Sequence, residues 1–119
     1  MNLVRIAAIL GGVGVALGAF GAHGLRNRVA PELIEVWKTG VLYHLIHTLA
    51  LLAVAALASH ITWPRLVAGC FLAGIAIFSG SLYLLVLTNV RVLGAVTPIG
   101  GVAFLIGWTL LAVGAVGNR

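Results

Sequence analysis

Acidic side chains are scarce in this sequence. Two of them and seven basic ones serve 119 residues, so 8% of the chain is charged, where a soluble globular chain carries about 25%. That number cannot cover a water-facing surface, which excludes a soluble enzyme and a disordered chain. The formal charge of +5 would suggest nucleic acid in a soluble protein. Here the basic residues stand singly at segment ends, with no patch to neutralise phosphates, and nucleic acid is excluded as a partner. Cysteine is limited to Cys70, inside an apolar run, so no disulfide framework forms within the chain. Cys70 reads as a small buried apolar residue. Both carboxylates, Glu32 and Glu35, fall in one polar stretch, and no apolar run contains any.

Long uncharged runs are present instead, and apolar residues make up 62% of the chain. A hydrocarbon core about 30 Å thick takes roughly 20 apolar residues per helix. Four such helices fit, at about 3–22, 40–59, 66–88 and 95–116, and a fifth has no room. The expected fold is an all-α membrane protein, a four-transmembrane-helix bundle forming one integral membrane domain over 1–119. Arg5 is followed by a stretch of uncharged residues too long for a signal-peptide core, so the first run reads as a retained transmembrane helix.

Between the first two runs, Glu32, Glu35 and Lys38 recur at spacing three, with Leu33, Val36 and Trp37 between them. Pro31 suits a first helical position. The pattern predicts a short amphipathic helix over 31–39 lying in the interface, with Trp37 at headgroup level and Arg26 and Arg28 facing water. In the first run, Gly14, Gly18 and Ala22 form a small-residue ridge, a helix-packing face that admits another backbone closely. A faint echo links Leu51–Ala55 to Leu110–Gly114, as two repeated hairpins would produce.

An even number of passes puts both termini on one side. Arg5, Arg65 and Arg119 belong to that side, and Arg26, Arg28, Lys38 and Arg91 to the other. The excess is small and favours the first and third loops in the cytoplasm.

Polar residues gather at one depth. The loop-side half carries His23, Tyr43, His44, His47, Ser79, Ser81 and Thr97, a candidate polar pocket, since polar groups in lipid turn toward the bundle interior. Three readings of the histidines stand side by side. They are hydrogen-bond partners for neighbouring hydroxyls and carbonyls, or ligands of a metal or haem, or contacts for a proton path or quinone headgroup. No carboxylate lies in the bundle to orient a histidine base, so a hydrolase triad is not expected. The sequence assigns no catalytic residue, no metal site and no cofactor. Phe78-Ser79-Gly80-Ser81 marks a helix crossing point or a hydroxyl-lined floor. Thr97-Pro98-Ile99-Gly100-Gly101 reads as a capped helix start that permits backbone contact.

Gly18-Ala19-Phe20-Gly21-Ala22-His23-Gly24-Leu25, Tyr43-His44, His47 to Leu52, Phe78 to Tyr83, Thr97 to Gly101 and Gly107-Trp108 occur in this order along almost the whole chain. In these motifs the sequence resembles the small membrane proteins grouped as domain of unknown function 423. The resemblance implies four membrane helices in a bacterial plasma (inner) membrane, and it implies no reaction. Its recurring motifs fall on His23, His47, Ser79, Ser81 and Thr97. The expectation is a non-enzymatic scaffold, assembly or accessory subunit that packs in the bilayer against itself or a membrane-protein partner. The alternatives are a small-ligand or cofactor binder (haem, quinone, metal or lipid headgroup) and an oligomeric transporter or channel.

Overall fold

A computed structural model describes residues 2–116. The first helix, α1 (Leu3–His23), is capped by Asn2, whose Oδ1 accepts from the Arg5 amide at 2.8 Å. It ends where the Gly24 and Leu25 amides both turn back onto Phe20 O. The second, α2 (Pro31–Ala56), begins with proline at its first position and runs unbroken for 26 residues.

No separate interfacial helix forms over 31–39: those residues are the opening turns of α2. Twenty-six residues rise about 39 Å, more than the hydrocarbon core spans, so the polar turns project into the headgroups as an extension of a membrane helix. Gly40 does not break the rod, because backbone hydrogen bonds have no water to compete with in lipid. Trp37 lies in these opening turns and is 2% exposed, packed among neighbouring helices rather than facing lipid. Its ring lies between Phe20 and Tyr83, with centroids at 5.6 and 4.8 Å. Gly21 opposite makes the room, since a Cβ there would sit 2.6 Å from Trp37 Nε1.

The third span, Pro64–Thr88, consists of α3 (Pro64–Gly74), a single π-helical turn (Ile75–Ser79) and α4 (Gly80–Thr88). Asn89 closes it at φ 57°, the left-handed cap conformation that asparagine tolerates. A 3₁₀ turn (Arg91–Ala95) leads into α5 (Thr97–Gly114). At the far end, a two-bond antiparallel bridge ties α5 to the α2–α3 link. The Thr62 amide donates to Gly114 O and the Val116 amide to His60 O, each at 2.8 Å.

The helices pack as a row. α1 leans on α2, α2 meets α3, the π turn and α4, and α5 lies against α3 and the π turn. Burial follows that order: 39% and 44% for the two middle spans, but 11% and 17% for the outer two. The apolar core is Leu51 and Val54 of α2, Val67 and Phe71 of α3, Phe104 of α5 and Ala7 of α1. A second cluster at the loop side joins Leu25, Leu33, Trp37, Leu85 and Val86. Glycine sets the closest approach. A Cβ on Gly100 would overlap the backbone of Phe78 in the π turn.

Candidate functional site

His44 and His47 lie three apart on α2, and three residues at 3.6 per turn leave the two side chains roughly 60° apart around the axis. That angle sends them to different neighbours. His44 donates from Nε2 to Leu10 O of α1 at 2.8 Å. Its Nδ1 is then left to accept from the Tyr83 hydroxyl of α4 at 2.9 Å. His44 is 3% exposed and spans three helices.

His47 turns toward α5. Its Nδ1 lies 2.8 Å from Tyr43 O, and its Nε2 receives the Trp108 indole N–H at 2.9 Å. A carbonyl only accepts and an indole only donates, so the proton sits on Nδ1 and the ring is neutral. The imidazole stacks on Phe104, with centroids 3.6 Å apart and planes at 12°. Phe71 closes its edge at 5.4 Å.

The hydroxyls are engaged as well. Ser79 is fully buried in the π turn and donates to Gly40 O of α2 at 2.7 Å. A Cβ on Gly40 would meet Tyr83 Cε1 at 3.0 Å, so a larger residue would make the tyrosine ring give by a few tenths of an ångström. Ser81 donates to Phe78 O at 2.9 Å and shares a 2.6 Å bond with Thr97 Oγ1, tying α4 to the start of α5. Tyr43 is 39% exposed and packs its ring on Phe78 at 4.5 Å.

Of the seven polar residues, Tyr43 and His47 line one groove, Ser81 and Thr97 form a pair, and His44 and Ser79 bond elsewhere. His44, His47, Ser79 and the Ser81–Thr97 pair make distinct ties between helices. His23 is exposed at the end of α1 and joins none of them. Among the described residues, no three His, Cys, Asp or Glu side chains come together as a metal site would need. The serines are bonded to carbonyls and to Thr97 rather than to a histidine. Beside His47 an open groove of about 470 Å³ runs between α2 and α5, walled by Tyr43, Phe78, Phe104 and Trp108.

The small-residue ridge of α1 faces α2 of the same chain over part of its length. A Cβ on Gly14 would overlap Leu45, and one on Gly18 would touch Val41 at 3.5 Å. Ala22 is exposed. Two partners escaped the sequence reading. Trp37 donates from Nε1 to Leu17 O at 2.8 Å, and Trp108 donates to His47. An indole N–H buried in lipid needs an acceptor, and that requirement was the available signal.

Four helices long and apolar enough to cross a bilayer, joined by buried polar ties, define a multi-pass integral membrane protein. The chain belongs to the DUF423 family of proteins of unknown function, whose pattern it matches over residues 17–101. It is 47% identical to the UPF0382 membrane protein YwdK of Bacillus subtilis over 120 residues, covering 95% of this chain and 98% of that one. It is 46% identical to the UPF0382 inner membrane protein YgdD of Escherichia coli K12 over 116 residues, covering 96% and 88%. A UPF0382 membrane protein of Staphylococcus epidermidis is 41% identical over 119 residues, covering 92% and 94%. No solved structure matches. With these relatives and four spans, the chain is a multi-pass protein of the bacterial inner membrane.

Proposed function

We propose that the chain is a non-enzymatic membrane subunit, a scaffold or accessory protein that presents its outer helices to a second copy or to another membrane protein. One observation carries this reading. Both nitrogens of His44 and His47 and the hydroxyls of Ser79, Ser81 and Thr97 are committed to bonds within the chain. Groups tied in this way hold helices in register and are not themselves poised as nucleophile or base for a substrate. The outer helices meanwhile carry bare apolar faces, with Val13 and Val15 on α1 and Val102 and Leu105 on α5 among the exposed residues.

A second reading rests on the aromatic groove. Its walls of Tyr43, Phe78, Phe104 and Trp108 suit a flat apolar ligand such as a quinone head. One experiment separates the two: native mass spectrometry of gently purified protein, with an absorbance spectrum and metal analysis on the same sample. The subunit reading expects an oligomer or a complex with another protein, free of stoichiometric cofactor. A stoichiometric quinone, haem or metal that is lost from a Trp108→Ala variant would replace it with the ligand reading.

A further inference from the structure

Opposite the polar ties, at the end of the bundle that holds the first turn of α1, the row arrangement leaves a gap. α1 and α3 both pack on α2, and a cleft of about 620 Å³ lies between them there. Its floor is Val54 of α2 with Ala68 and Leu72 of α3, and Asn2 and Arg65 stand at its mouth. Arg65, Ala68 and Leu72 are spaced at three and four and so share one face of α3. That face runs about 10 Å along the helix from the charged residue into the apolar floor.

Three features specify the occupant. Arg65 is exposed at the first turn of a membrane helix, where a long cationic side chain reaches the headgroups. The chain's two acidic side chains, Glu32 and Glu35, lie at the opposite membrane side, at the start of α2, and Lys38 is bonded to Glu35 there. No Asp or Glu therefore competes for Arg65. Asn2 has its Oδ1 fixed by the Arg5 amide, which leaves its NH₂ as a donor at the cleft mouth. A cation and an amide donor above an apolar trough match a phosphate above an acyl chain.

We infer that the α1–α3 cleft is a binding site for an anionic phospholipid, with its phosphate on Arg65 and Asn2 and an acyl chain along Val54, Ala68 and Leu72. Gly69 gives the site its depth. A Cβ there would have nothing within 4 Å, so the glycine holds space open without packing against the protein.

The same glycine supplies the test. Gly69→Leu fills the trough from a position where a Cβ meets no neighbour, and it raises helix propensity, so thermal melts of the variant should match wild type. Arg65→Gln removes the charge at an exposed position. Protein in nanodiscs of mixed phosphatidylglycerol and phosphatidylethanolamine is released by native mass spectrometry, and the lipid retained through graded activation is counted. Wild-type protein is expected to keep one phosphatidylglycerol in preference to phosphatidylethanolamine. Arg65→Gln should weaken that retention about fivefold, the contribution of one basic residue at an anionic surface. Gly69→Leu should lose both lipids from the site, and Arg91→Gln, at the other membrane side, should match wild type. Equal retention in wild type, Arg65→Gln and Gly69→Leu overturns the inference. So does a phosphatidylglycerol loss of the same size in Arg91→Gln, which would mark general surface attraction. Loss of a dimer from Gly69→Leu with lipid unchanged would seat a second copy in the cleft and overturn it too.

Discussion

Trp108 has one hydrogen to give and no means of accepting, and His47 Nε2 is 2.9 Å from it. His47→Phe keeps a ring against Phe104 and removes the acceptor. The stranded indole N–H should cost about 1–3 kcal/mol, read as a lower unfolding midpoint by circular dichroism in mixed micelles. The double variant His47→Phe, Trp108→Phe should lose less than the two single losses combined, with a coupling of about 0.6 kcal/mol and at most about 1.7. Strict additivity would mean that the bond contributes nothing. Tyr83→Phe should cost a similar amount, about 1–3 kcal/mol, because it leaves the buried His44 Nδ1 without a donor while the Nε2 bond to Leu10 O stays in place. These residues also show what the sequence could tell about the site. The polar residues were legible as a set at one depth, because hydroxyls and imidazoles stand out in an apolar run. Their partition was not, because spacing three fixes only that His44 and His47 are near each other on a helix. A 60° difference in azimuth then decides whether a side chain meets α1 or α5.

Helix crossings turn on glycines whose surroundings differ sharply. A Cβ at Gly100 would overlap backbone atoms of Phe78, which cannot swing aside as a side-chain tip can. Gly100→Ala should therefore cost about 1–3 kcal/mol. Gly12 has nothing within 4 Å of a Cβ, and Gly12→Ala should leave the midpoint unchanged or raise it by about 1 kcal/mol. Parallel melts of the two variants check this, and equal losses would remove the crossing from the account. The π turn offers a sharper case. It holds one residue more than an α turn would, so deleting the exposed Ala76 can relax it to α-helix while α4 keeps its facing. Deleting Leu84 from the regular helix rotates the remainder of α4 by about 100° and turns Leu85 and Val86 out of the core. Membrane accumulation should survive the first deletion and fail in the second. The four spans were legible because hydropathy over 20 residues is a strong signal. The extension of α2 over 31–39 was hidden by its amphipathic spacing and by Gly40, which reads as a break in water and is none in lipid. The π turn leaves no mark at all, since Ile-Ala-Ile-Phe-Ser is ordinary helix sequence, although the bond of Ser79 to Gly40 O and the close approach of Phe78 to Gly100 are both made from it.

Orientation in the bilayer belongs to the molecule entire, because it is set by the balance of Lys and Arg between its two ends. Arg5 and Arg65 sit at the end that opens the α1–α3 cleft, and Arg119 joins them by sequence, beyond the described residues. Arg26, Arg28, Lys38 and Arg91 sit at the other. Acidic residues count little in this balance, so the Glu35 bond to Lys38 does not cancel it. One charge separates the two ends. The expected topology places the first and third loops in the cytoplasm, and a difference so small should be reversible with few substitutions. Arg26→Gln with Arg28→Gln leaves two basic residues at the loop end against three at the other. A reporter fused after Arg119, active only outside the cytoplasm, should read strongly in the parent and fall in the double variant, while a cytoplasmic reporter rises. Unchanged readings from both reporters would mean that the charge balance does not orient the chain. The same measurement bears on the lipid cleft. With the termini outside, Arg65 would draw its phospholipid from the periplasmic leaflet, and the inverted variant would expose the identical cleft to the cytoplasmic one. Retention of phosphatidylglycerol should then be equal for the two orientations in symmetric nanodiscs, because the site is made by the packing of α1, α2 and α3 and not by the side on which it lies.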